Sequence, residues 1–222
     1  MAVEVRCDAG VRTVTIRRPP ANALSLREYT ALREAFSATD DARVCVLRGS
    51  GRSFCAGQDL DEFAGLVGED RGRYLAEAGE AIITVAASPI PLVAVVNGPA
   101  VGAGALLVTL ADVVVLSPAA WLSFPEARLG LPLGLSLLSR FLPPRLARWL
   151  MASGERIGPD RLYALGAADH VAAEQRLDDV ADQVVSGLLE LPPSAAAWLY
   201  ASPDRGDRAQ AYRSELAAAV TR

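Results

Sequence analysis

The sequence predicts an α/β fold that ends in a helical extension, and three observations carry that prediction. Short β-branched runs alternate with helical patterns through the first half of the chain, whereas helical patterns dominate the second half. Residues 89–116 read as buried strand, glycine-bearing turn, apolar helix and second buried strand. Leu92 to Val96 is apolar throughout, as in a strand covered on both faces. The 222 residues suffice for one substantial core, so a single domain over 1–222 is expected.

Taken in order, Val3–Arg6 and Val11–Ile16 alternate apolar with polar residues around an Asp8-Ala9-Gly10 turn, which predicts a hairpin. Arg17 to Asn22 breaks into a loop. Ser25 and Glu28 have capping-box spacing, and Leu32 and Phe36 continue an apolar face, so a helix is expected over 25–38. Val44–Leu47 is a buried strand, followed by a loop from Gly49 to Leu60. Residues 61–87 read as one or two helices. Asn97-Gly98-Pro99 stops the strand Leu92–Val96, and Ala100–Ala111 lacks a polar face, which predicts a buried helix. Val113–Leu116 is the next strand, Trp121–Glu126 is short and extended, and Gly130–Pro132 turns. From about 134 the pattern is helical, broken at Pro143-Pro144, Gly154, Gly158-Pro159 and Pro192-Pro193.

Composition narrows the function. Net charge is −4 and no basic run occurs, which argues against a nucleic-acid partner. All 22 cationic residues are arginine, so phosphate-loop, Schiff-base and Ser–Lys chemistries are excluded. Three cysteines without paired spacing favour free thiols in a reducing compartment over disulfides or a metal. Neither a signal peptide nor an apolar run of spanning length is present, so a cytoplasmic protein without a membrane partner is expected.

Few groups could do chemistry near neutral pH. His170, the one histidine, lies in a helical pattern without triad context and reads as a surface or supporting residue. Glu126 follows Phe124-Pro125; it is either an exposed loop glutamate or a carboxylate set among apolar groups, with the raised pKa that a base for carbon acids needs. Gly102 and Gly104 either allow close helix–sheet packing or bare backbone amides that hold negative charge. The glycines do not form a dinucleotide fingerprint. Cys55-Ala56-Gly57-Gln58-Asp59-Leu60 offers further bare amides, and one N–H from each loop could converge on an oxyanion.

These residues, in this order, resemble the crotonase superfamily, the enoyl-CoA hydratase/isomerase family. The resemblance runs through Arg18-Pro19 with Asn22-Ala23-Leu24-Ser25, Leu47 to Gly51, Phe54 to Leu60, Pro91 to Gly98 and the following glycines, Ala111-Asp112, Phe124-Pro125-Glu126 with Leu129-Gly130, and Gly154-Glu155-Arg156-Ile157 before Ala164-Leu165-Gly166. It implies a spiral of ββα units over 1–190 with a shortened helical region over 191–222. It further implies a homotrimer or hexamer, and a CoA or carrier-bound acyl thioester as substrate, with no other cofactor and no metal. The enolate oxygen would be held by the backbone N–H groups of Gln58 and Ala103. Ala21, Ala23, Leu24, Ala56, Asp59, Leu60 and Leu106 would line the thioester and CoA path.

Departures from the family pattern sharpen the expectation. Hydratases of the family use two glutamates; Leu106 stands at one of those positions and Glu126 at the other. A single glutamate resembles the enoyl-CoA isomerases, where one base shuttles a proton between C2 and C4. Ala103 replaces the usual glycine, which predicts a less comfortable backbone there. A hydratase or dehydratase, a thioester decarboxylase, and a non-catalytic homologue assisting a partner enzyme are the competing readings.

Overall fold

The computed structural model describes residues 2–38, 40–131, 133–200 and 203–220; Met1 and Pro132, the last residue of the turn expected over Gly130–Pro132, lie outside them. Strands β1 (Val3–Asp8) and β2 (Val11–Ile16) form the expected antiparallel hairpin. Helix α1 (Leu26–Ser37) follows, its first turn closed by the Ser25 N–H donating to Glu28 Oε2 at 3.0 Å. Then come β3 (Val44–Gly49), α2 (Leu60–Ala64), α3 (Gly68–Ala86), β4 (Leu92–Val96), β5 (Ala100–Val101), α4 (Ala103–Thr109), β6 (Val113–Leu116) and β7 (Leu122–Ser123). The second half holds α5 (Leu135–Phe141), α6 (Pro144–Ser153), α7 (Pro159–Ala164), β8 (His170–Val171), α8 (Leu177–Leu189), α9 (Pro193–Tyr200) and α10 (Pro203–Val220).

The main sheet runs β1-β2-β3-β4-β6-β8, and every pairing after the hairpin is parallel. Alternation along its central strands explains why they read as continuously apolar. Val44, Val46, Val93, Val95 and Val115 face α8 through Leu177, Ala181 and Val185. Their neighbours Cys45, Leu47, Ala94, Val96 and Val114 face the larger core with α1, α3 and α4. Burial on both faces leaves no polar side for the alternation to reveal.

Two sequence expectations are corrected. Ala100 and Val101 are not helical; they pair in parallel with Leu122 and Ser123 as a second small sheet, through Ala100 N–H to Trp121 O and Gly102 N–H to Ser123 O, both 2.9 Å. The helix therefore starts at Ala103. His170 lies not in a helix but in β8, an exposed edge strand beside β6. Among the described residues no helix is long and apolar enough to cross a membrane.

Candidate active site

The loop after β3 is shaped by contacts that only certain residues allow. A Cβ on Gly49 would lie 2.3 Å from Phe54 O, so the chain can fold back there only without a side chain. The Asn22 side-chain amide donates to Ser50 O and Ser53 O, each at 2.8 Å, and holds the returning loop. Beyond it, Leu24 N–H donates to Gly57 O at 2.7 Å and Asp59 N–H donates to Leu24 O at 2.9 Å. Backbone groups alternate along an extended segment, so with Gly57 O and Asp59 N–H turned toward Leu24, the Gln58 N–H is turned away from it. Among the described residues that N–H has no hydrogen-bond acceptor.

The second amide arrives from the opposite side. Gly57 has φ +82°, and a Cβ there would lie 2.4 Å from Val101 O and 3.3 Å from Ala103 N. This approach brings the two loops together. Gly102 takes the left-handed φ of +54° that turns β5 into α4. Ala103 is the first residue of the helix, so its N–H falls among the amides without an intrahelical partner, and no other acceptor meets it among the described residues. The strain expected for an alanine at 103 is absent, because the special backbone angle belongs to Gly102. The two readings of the glycines divide between them. Gly104 serves packing, since a Cβ there would lie 2.3 Å from Cys55 O, while Gly102 faces the site, where a Cβ would lie 3.4 Å from Glu126 Oε1.

Glu126 opens a 3₁₀ turn (126–129), separated from β7 by Phe124 and Pro125. It is 7% exposed, which rules out the exposed-loop reading. Among the described residues neither carboxylate oxygen has a hydrogen-bond partner, and desolvation lifts the carboxyl to about 7. A carboxyl of this kind can take and return a proton near neutral pH. The nearby Cys55 thiol is pushed up to about 12 by burial, so it is not a nucleophile.

Gln58, Ala103, Glu126, Ala56, Leu60 and Leu106 all line one cavity of about 300 Å³. Glu126 is its one carboxylate among the described residues, and Leu106 presents an apolar wall one turn into α4. A second, shallower pocket of about 370 Å³ is formed by Ala21, Ala23, Asp59 and Leu60 with Arg18 and Pro19; Leu60 is common to both. Asp59 caps α2 through Asp61 N–H and pairs with Arg18 at 2.5 Å, so its carboxylate is engaged by the protein itself. Leu24 reaches neither pocket; it is fully buried and acts through its backbone on Gln58.

The sequence did not point to several cavity residues. Tyr29 comes from α1, Phe63 from α2, Arg71, Leu75 and Ile82 from α3, and Tyr212 from α10. Arg71 stacks on the Phe63 ring at 4.2 Å. His170 lines neither pocket. Among the described residues no cluster of three His, Cys, Asp or Glu is placed to hold a metal ion.

Comparisons with known proteins place the chain by sequence and by fold. The enoyl-CoA hydratase/isomerase family profile matches residues 6–219. A probable enoyl-CoA hydratase of Bacillus subtilis is 30% identical over 218 residues, covering 90% of this chain and 84% of that one. A (7aS)-7a-methyl-1,5-dioxo-2,3,5,6,7,7a-hexahydro-1H-indene-carboxyl-CoA hydrolase of Rhodococcus jostii is 33% identical over 184 residues, 80% and 70% of the two chains. The crystal structure of an enoyl-CoA hydratase/isomerase from Mycobacterium paratuberculosis superposes with a TM-score of 0.89 at 29% identity, covering 99% of this chain and 91% of that one. The chain belongs to the enoyl-CoA hydratase/isomerase family, and its fold is that of the crotonases.

Proposed function

We propose that this family member is an enoyl-CoA double-bond isomerase. The observation that supports the reading is a cavity with two open backbone amides and a single unpartnered carboxylate. With the thioester oxygen between the N–H groups of Gln58 and Ala103, Glu126 removes a proton from C2 of a 3-enoyl thioester. The electron pair moves onto the thioester oxygen as a dienolate, which the two amides stabilise. Glu126 then returns the proton at C4, leaving a 2-enoyl thioester. Proton and electrons balance without water, metal or redox partner, so coenzyme A is needed only as part of the substrate.

Relatives named as hydratases favour water addition as a second reading. Leu106 opposes it, because it offers no second carboxylate to activate or protonate at that wall. A panel of both 3-enoyl- and 2-enoyl-CoA thioesters, followed by mass and double-bond position, distinguishes the two. Positional isomers without added mass support isomerase, whereas a product heavier by one water contradicts it. The trimeric or hexameric assembly is part of the same proposal; light scattering at three or six times 23.4 kDa would support it.

A further inference from the structure

Glu126 is not the only polar side chain in the cavity that lacks a partner. Tyr29 from α1 and Tyr212 from α10 both stand on its wall, at 1% and 4% exposure. Neither phenol hydroxyl bonds to another group among the described residues, and neither is sealed off as the Glu126 oxygens are, so both open onto the cavity. The neighbouring Tyr74 shows the contrast: it packs edge-on to Tyr29 at 6.3 Å, and its hydroxyl bonds to Leu24 O at 3.3 Å and Glu62 Oε2 at 3.2 Å. Buried tyrosines ordinarily find such partners, and phenylalanine would fill the same volume where none exists.

The two unpaired phenols come from opposite ends of the chain and meet at one cavity, which the packing of α10 on α3 makes possible. A Cβ on Gly79 of α3 would lie 2.2 Å from Leu216 Cδ2, so the two helices touch closely beside Tyr212. Burial raises both phenols above their ordinary pKa, and the Glu126 carboxylate raises them further. They therefore stay protonated, as donors, throughout the working pH range. A plain alkyl chain filling the cavity would strip water from both hydroxyls and return no hydrogen bond, a penalty that selects against such a ligand.

We propose that the acyl group accepted here carries an oxygen acceptor, a carbonyl or hydroxyl, that Tyr29 and Tyr212 hold by hydrogen bonds. The inference rests on the thioester reading of the site and adds the chemical class of the acyl chain to it. The test is calorimetric titration of wild type, Tyr29→Phe, Tyr212→Phe and the double variant. The probes are octanoyl-CoA and chain-matched oxo- and hydroxy-octanoyl-CoA thioesters. At least one oxygenated thioester should bind wild type about tenfold more tightly than octanoyl-CoA, each single variant should reduce that ratio several-fold, and the double variant should bring it near one. Unchanged melting temperatures show that the variants fold. Octanoyl-CoA binding as well as every oxygenated probe, or a preference that survives in the double variant, overturns the oxygen acceptor and leaves the thioester site standing. No binding by any thioester overturns both.

Discussion

Replacing Glu126 with glutamine should change how stability depends on pH, by an amount set by its burial. In the folded protein the carboxyl titrates at about 7, against an ordinary value of 4.5. Below the ordinary value both folded and unfolded chains carry the proton. Between 4.5 and 7 the unfolded chain releases it while the folded chain keeps it, so wild type loses stability as pH rises through that window. Each unit is worth about 1.4 kcal/mol, so the interval amounts to about 3 kcal/mol, complete above pH 8. The glutamine variant has no proton to lose, and other titrating groups cancel between the two proteins. Urea denaturation of both ligand-free proteins from pH 4 to 8.5 measures the difference. Relative to wild type, the variant should gain about 3 kcal/mol, on the order of 10 °C in melting temperature for a chain of this size. Its own amide, buried without a partner, lowers both ends of the curve equally. Parallel stability curves would refute the claim that Glu126 is desolvated and unpaired.

Three further outcomes follow from the same geometry. The kcat/KM for isomerisation should rise with pH and level off above about 7, because Glu126 must be ionised to act as base; a pH-independent profile would contradict this. Gly102→Ala forces a side chain into the φ +54° position beside Glu126 and should lower kcat about 100-fold or more, whereas Ala103→Gly, at an unstrained helical position, should stay within about tenfold of wild type. Arg205 fastens α10 by bonding Ser88 O, Ile90 O and the Asp112 carboxylate while 6% exposed. Arg205→Ala should cost about 3–5 kcal/mol in urea denaturation and weaken thioester binding in parallel, since α10 carries Tyr212 to the cavity.

Much of the fold was legible because local pattern and global role coincide. The hairpin, the Ser25–Glu28 cap and the double-faced strands each follow from a short stretch of sequence and its period. Ala100-Val101 reads as helix from the sequence because small apolar residues suit a buried helix and a buried strand equally, and its partner Leu122-Ser123 lies some twenty residues on. Gly102 and Gly104 could be flagged as glycines but not told apart; their roles depend on Glu126 and Cys55, which arrive from other parts of the chain. Burial of Glu126 was likewise undecidable from Phe124-Pro125 alone. Tyr29 and Tyr212 carried no local signal, since nothing near either residue in sequence indicates that α1 and α10 share a cavity.

The most direct test of the central claim is proton exchange on a 3-enoyl-CoA thioester in D₂O, comparing wild type with Glu126→Gln. The predicted result is deuterium at C2 and C4 together with conversion to the 2-enoyl isomer, both lost in the variant. Full exchange and conversion by Glu126→Gln would contradict the assignment of Glu126 as the base, and a thioester that binds wild type without exchanging would contradict the enolate itself.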